Sequence, residues 1–130
     1  MRFSKSNTSI FNVGYHLIWC PKYRRDVLVG AVEKRLKDLL RKKSKQISVH
    51  IEKMEIMSDH VHLFVKSLPT ISAHKIVQQL KGYTSRILRQ EFKVLRSRIP
   101  TLWTRAYYCE SVGHISEQTV KKYIEEQKNR

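Results

Sequence analysis

Met57-Ser58-Asp59-His60-Val61-His62-Leu63-Phe64-Val65-Lys66 reads as a turn followed by a strand. Ser58-Asp59 is a turn pair. From His60 onward the residues alternate with a period of two, so Val61, Leu63 and Val65 project to one side and His60 and His62 to the other. Immediately upstream, Ser48–Met57 is a second strand whose alternation slips near Glu52-Lys53, where a bulge is expected. Together the two runs predict a hairpin. Its aliphatic side can pack on helices, and its paired imidazoles then point out of the opposite, open face.

Toward the N-terminus, the aromatic and β-branched run Val13–Cys20 predicts a strand closed by Pro21. Between about Ala31 and Lys45, Val32, Leu36, Leu39 and Leu40 recur at helical spacing among basic residues. Beyond the hairpin, Pro69-Thr70 breaks the chain and Ser72 is an N-cap. The helix it starts carries Ile76, Leu80, Tyr83, Ile87 and Leu88 along one face. Gly82 inside it costs roughly 1 kcal/mol against Ala and permits close approach by another backbone. Pro100 ends an irregular connection, and Ala106–Val112 predicts a fourth strand. Gly113 reads as a hinge, and Ser116 caps a last helix running to about Lys128. The order β-α-β-β-α-β plus a C-terminal helix predicts an α+β, ferredoxin-like sandwich: one antiparallel sheet with both crossover helices on one face. Residues 1–130 are read as a single domain, without repeats or linkers.

Composition narrows the function. The chain has 26 Lys plus Arg against 11 Asp plus Glu, a formal net charge of +15. Such an excess implies a polyanionic partner, nucleic acid first. No run approaches the roughly 18 apolar residues of a membrane span, and Met1–Asn7 lacks the apolar core of a signal peptide. The expectation is a cytoplasmic, nucleoid-associated protein with no membrane partner. Cys20 and Cys109 are isolated, with no CxxC spacing, and are read as buried reduced thiols.

Two places have the residue types for chemistry. His60 and His62 offer two neutral nitrogen ligands from a rigid strand. On the last helix Tyr123 and Gln127 lie four apart, on one face and neighbouring turns. There Gln127 can supply a carbonyl oxygen while Tyr123 presents its phenol. By spacing alone, Val120, Tyr123 and Ile124 are equally a packing stripe with Gln127 exposed.

Five stretches in order resemble a known family. They are Tyr15-His16-Leu17-Ile18-Trp19-Cys20-Pro21-Lys22-Tyr23-Arg24-Arg25, Ser58-Asp59-His60-Val61-His62-Leu63, Leu80-Lys81-Gly82-Tyr83-Thr84-Ser85-Arg86, Leu102-Trp103-Thr104-Arg105-Ala106-Tyr107-Tyr108 and Tyr123-Ile124-Glu125-Glu126-Gln127. They look like the HUH endonuclease superfamily, specifically the single-tyrosine transposases of the smallest insertion sequences. Ala106 departs from the family's Gly. The resemblance implies a DNA transposase that binds hairpins at single-stranded transposon ends and cleaves and rejoins DNA through a covalent 5′-phosphotyrosine. Tyr123 would be the nucleophile, and His60, His62 and Gln127 would ligate Mg²⁺ or Mn²⁺. It also implies a homodimer, with the tyrosine helix completing the site in cis or in trans.

Lys22, Arg24, Arg25, Lys81, Arg86 and Arg105 are the expected DNA contacts; Tyr23, Tyr83 and Tyr107 read equally as stacking surfaces or as core residues, and Trp103 is assigned to the core. Two readings compete. A replication initiator or a domesticated repeat-associated HUH enzyme shares the histidines. A non-catalytic single-stranded nucleic-acid binder shares the element order, but its aromatic signature on the central strands is absent here, where His60 and His62 stand instead.

Overall fold

The computed structural model describes residues 13–112 and 117–129. In chain order the elements are β1 (Val13–Trp19), α1 (Gly30–Gln46), β2 (His50–Met57), β3 (His60–Ser67), α2 (Ala73–Glu91), α3 (Lys93–Ser97), β4 (Tyr108–Ser111) and α4 (Glu117–Glu126), with a turn at Gln127–Asn129. The strands form one sheet in the order β2-β3-β1-β4, antiparallel at each junction. This is the ferredoxin-like plan that the alternation of periods predicts.

The helices cover one face because their apolar stripes match the aliphatic side of the strands. Leu17 and Trp19 of β1 and Val61, Leu63 and Val65 of β3 pack with Val32, Leu36, Leu39 and Leu40 of α1 and Ile76, Val77, Leu80 and Leu88 of α2. Burying each such side chain stabilises the fold by about 1.5–3 kcal/mol. Ser72 caps α2 as expected, accepting from the Lys75 backbone N–H at 3.1 Å. The bulge also lies where the alternation slips, between Ile51 and Lys53. Glu52, the residue it sets out of register, pairs with the buried Lys66 ammonium at 2.9 Å.

Trp103 is in the core, as expected, meeting Trp19 edge-on. Its indole N–H donates to Thr84 Oγ1 at 3.1 Å, and that hydroxyl donates to Leu80 O at 2.7 Å. Thr84→Val keeps the shape and removes the acceptor, leaving a buried indole N–H unsatisfied. It is expected to lower stability by about 1–3 kcal/mol, measured by denaturant unfolding; a change under about 0.5 kcal/mol, the scale of ordinary surface substitutions, would contradict this account.

Several details differ from the sequence reading. β4 is shorter than Ala106–Val112 because the chain just before it is held elsewhere. Lys22 N–H donates to Leu102 O at 2.8 Å and Thr104 N–H to Cys20 O at 3.0 Å. The Lys81 ammonium then caps the carbonyls of Thr104 (2.6 Å), Arg105 and Ala106 (both 3.4 Å). The short helix α3 was not foreseen; Arg89 secures its surroundings by donating to Leu95 O and Ile99 O. Gly82 is exposed and a Cβ there would meet nothing within 4 Å, so among the described residues no backbone makes the close approach its glycine permits. Cys20 and Cys109 are both free thiols; Cys20 is buried, which pushes its thiol up to about 11, but Cys109 is only half-buried. Gly113 and Ser116, read as hinge and cap, lie outside the described residues.

The turn at Lys22–Arg24 is unusual. Tyr23 (φ 58°) and Arg24 (φ 48°) are consecutive non-glycine residues in the left-handed region. Each costs roughly 1–2 kcal/mol there. The surrounding contacts must hold that turn.

Candidate active site

Register fixes what shares the face opposite α1 and α2. Ile18 of β1 pairs with His62 of β3 on one side and Tyr108 of β4 on the other, while β2 supplies Glu55 opposite His62. Residues paired across strands point the same way. Glu55, His62, Ile18 and Tyr108 therefore form one row, and Lys53, Phe64, His16 and Glu110 form the next. His60, two residues from His62, shares this face. The expected placement of both imidazoles on the open face is what the sheet shows.

The imidazoles are held by specific partners. His60 Nδ1 lies 2.8 Å from Asp59 Oδ1. A carboxylate accepts, so Nδ1 carries a proton; in the neutral ring Nε2 then keeps its lone pair, the tautomer a metal ligand needs. His62 Nε2 lies 3.1 Å from Nδ1 of His16. Burial holds both His62 and His16 below the ordinary histidine value, and for His62 the neighbouring His16 adds to the effect. Both rings are thus neutral at pH 7, as ligation requires. To bind a cation through Nε2, His62 must give up the hydrogen bond to His16; binding through Nδ1 keeps it. His16 was not singled out in the sequence. Its strand alternation places it opposite Leu17, but its nearness to His62 comes from strand order, which no local pattern encodes.

Helix α4 lies against this face of its own chain. The Tyr123 ring meets the Tyr108 ring at a centroid distance of 4.8 Å and 47°. Tyr108 in turn stands two strands from His62, roughly 10 Å at ordinary strand spacing. The Tyr123 phenolic oxygen is buried. Gln127 is not exposed, as the packing-stripe reading would have it. The residue is 1% accessible, and its amide oxygen is buried with no hydrogen-bond partner among the described residues, while the amide nitrogen donates to Tyr123 O at 3.5 Å. An orphaned buried acceptor is costly unless something else satisfies it, and it fits the role of an oxygen ligand. Among the described residues no group of three or more His, Cys, Asp or Glu side chains is arranged to hold a metal ion. A cation on this face depends on imidazoles plus an amide.

Tyr108 is the other phenol here. It donates to Glu110, and burial together with that bond pushes its pKa up to about 12.

The basic residues divide into two groups. Arg25, Arg86 and Arg105 are exposed, and Lys22 is half-exposed with its ammonium 5.1 Å from the Tyr23 ring. Arg86 and Lys43 flank the Tyr83 ring at 5.8 and 5.1 Å. Two of the expected DNA contacts instead turn inward. Lys81 is committed to the three carbonyls before β4, and burial lowers its pKa to about 8. Arg24 donates to Ile124 O at 3.0 Å and pairs with Asp59 at 2.8 Å. Neither was legible as an internal staple, because their partners lie far away in the chain.

Comparison with known proteins places this arrangement in context. A family described as "Transposase IS200 like" matches residues 9–127. The ISDra2 transposase TnpA of Deinococcus radiodurans is 35% identical over 129 residues, covering 98% of this chain and 92% of that protein. The transposase for insertion sequence element IS200 of Salmonella typhimurium is 30% identical over 119 residues, covering 90% and 78%. A crystal structure of a transposase from Deinococcus radiodurans superposes with a TM-score of 0.87 at 33% identity, over 95% of this chain and 97% of that one. A REP-associated tyrosine transposase bound to a REP hairpin shares the fold, with a TM-score of 0.60 at 9% identity, over 95% and 68%.

Proposed function

Because the chain belongs to the IS200-like, single-tyrosine HUH transposases, we propose that it cuts and rejoins single-stranded DNA at transposon ends through a 5′-phosphotyrosine at Tyr123. The observation that carries this reading is the docking of α4 on the histidine face, Tyr123 against Tyr108 and Gln127 with an unsatisfied buried amide oxygen.

The Tyr123 oxygen attacks phosphorus in line from a little over ~3 Å, the bond from phosphorus to the 3′-oxygen breaks, and a 3′-hydroxyl leaves with a proton. The new tyrosyl phosphodiester keeps the energy of the one it replaces. A second 3′-hydroxyl can therefore attack it, releasing Tyr123 and joining DNA without a nucleotide cofactor. His60, His62 and Gln127 would hold Mg²⁺ or Mn²⁺, whose chemistry is to withdraw charge from the scissile phosphate as a Lewis acid. The donor set has no thiolate; its amide oxygen is the kind of ligand such ions take, and its two imidazoles are the softer part of the set. Asp59 orients His60, and the depressed basicity of His62 keeps it available as a neutral ligand.

The exposed Arg25, Arg86 and Arg105, with Lys22, are positioned to meet phosphates, and Tyr83 between Lys43 and Arg86 offers a stacking surface. Hairpin-bearing DNA is the substrate class this reading takes; the fold neighbour described above is itself bound to a REP hairpin. The working unit is a homodimer, and β2, at the sheet edge with alternate residues exposed, is a surface on which two copies can pair. Sedimentation at micromolar protein is expected to give twice the chain mass; a monomer with and without DNA would refute the dimer.

The test of the reaction is direct. Labelled single-stranded DNA carrying a hairpin and its flanks, from an insertion-sequence end of this type, is incubated with protein and Mg²⁺ or Mn²⁺. A denaturing gel should then show a covalent protein–DNA band. Tight binding with no such band under any metal condition would leave a nucleic-acid binder and end the transposase mechanism for this chain.

A further inference from the structure

Arg24 joins the two halves of the site. Its Nε pairs with Asp59 Oδ2 at 2.8 Å, and its Nη1 donates to Ile124 O at 3.0 Å. The other oxygen of the same carboxylate, Oδ1, holds His60 Nδ1 at 2.8 Å. One guanidinium therefore spans the backbone carbonyl next to Tyr123 and the side chain that orients His60. The ion pair is largely shielded, at 16% and 18% side-chain exposure. Ile124 O lies in the last turn of α4, where carbonyls lack partners within the helix and a cation is favoured. The turn after α4, Gln127–Asn129, also rests on the Lys22–Arg24 turn.

The backbone supports the same role. Tyr23 and Arg24 sit consecutively in the left-handed region, with no glycine to ease them. Strain of this kind persists only where surrounding contacts over-determine it. Here those contacts aim Arg24 at Asp59 and at α4.

We propose that Arg24 is the positioning residue that clamps the tyrosine helix to the histidine turn, setting the nucleophile and the His60 imidazole in one frame. The proposal rests on the transposase reading above for its catalytic consequence, and on contacts alone for the clamp. It assigns Arg24 an internal role in place of a phosphate contact. A planar fork reaching two acceptors is a task lysine cannot reproduce, whereas lysine serves a phosphate well as a point charge.

The experiment uses full-length wild type, Arg24→Gln and Arg24→Lys. First, amide hydrogen exchange is followed across residues 117–126 in the protein alone, without DNA or metal. Second, single-turnover adduct formation is measured with saturating hairpin DNA and Mn²⁺, alongside DNA affinity and its salt slope. In both variants exchange in 117–126 should rise at least tenfold while amides of β3 and α2 stay as in wild type. Adduct formation should slow by about 100-fold, the scale of a misplaced reacting group, with DNA affinity within threefold and the salt slope unchanged.

Recovery of the wild-type rate by Arg24→Lys, or a loss of affinity in Arg24→Gln with a salt slope lower by about one, would make Arg24 a phosphate contact and overturn the clamp. Unchanged exchange in 117–126 would overturn it as well. So would exchange rising throughout both variants, which would mark a general structural role. If wild type forms no adduct at all, the transposase reading fails, and the clamp still stands or falls on the exchange data.

Discussion

Tyr123→Phe is expected to bind hairpin DNA as wild type does and to form no covalent adduct, a loss of at least about 10³-fold in single-turnover rate, since no group of matching chemistry replaces the missing oxygen. The ring contact with Tyr108, which fixes the side chain, survives the substitution. Only the hydroxyl is removed, so the variant isolates chemistry from docking. The sharper comparison is with Tyr108→Phe. Both phenols belong to the same face, 4.8 Å apart by ring centroids. Tyr108 is bound to Glu110 and its pKa is pushed up to about 12, so its phenolate is hard to reach. Tyr108→Phe should keep adduct formation within about tenfold of wild type, about 1.4 kcal/mol, because it removes no reacting atom. Adduct persisting in Tyr123→Phe and vanishing in Tyr108→Phe would exchange the two assignments.

The second large effect concerns the imidazoles. His60→Ala and His62→Ala are each expected to slow cleavage on the order of 10²–10³-fold, the several kcal/mol that a bound cation contributes to a charged transition state. Chelator should abolish wild-type cleavage and added Mn²⁺ restore it. The variants should need more Mn²⁺ for half-maximal rate, the result expected of a site that has one proposed ligand fewer. They are not equivalent. His60→Ala releases Asp59, which remains paired with Arg24, whereas His62→Ala removes the partner of His16. Cleavage that is indifferent to chelator, or unimpaired in both variants, would remove the metal from the mechanism.

The element order could be read from the chain because its signals are local. Strict alternation in His60–Val65 and helical spacing in Val32–Leu40 and Ile76–Leu88 each demand one structure, and their succession leaves few topologies. Even the bulge was visible, as a slip in alternation at Glu52-Lys53. The site was legible only in part. His60 and His62 announce themselves by sharing a strand face, but His16 reaches His62 only because β1 is inserted between β3 and β4. Arg24 and Lys81 looked like solvent-facing charges within basic runs. Their partners, Ile124 with Asp59 and the 104–106 carbonyls, stand far along the chain. The left-handed pair Tyr23-Arg24 carries no glycine or asparagine to betray it. Spacing left Gln127 equally readable as exposed, and the fold buries it.

Ile18 gives the site a further property. It sits in the row between His62 and Tyr108, on the side away from the two crossover helices, and yet it is wholly inaccessible. An aliphatic side chain sealed on that side makes the strip of sheet between His62 and Tyr108 greasy as well as polar at its edges. Exposing this strip to water would cost up to about 1.5–3 kcal/mol for the isoleucine alone.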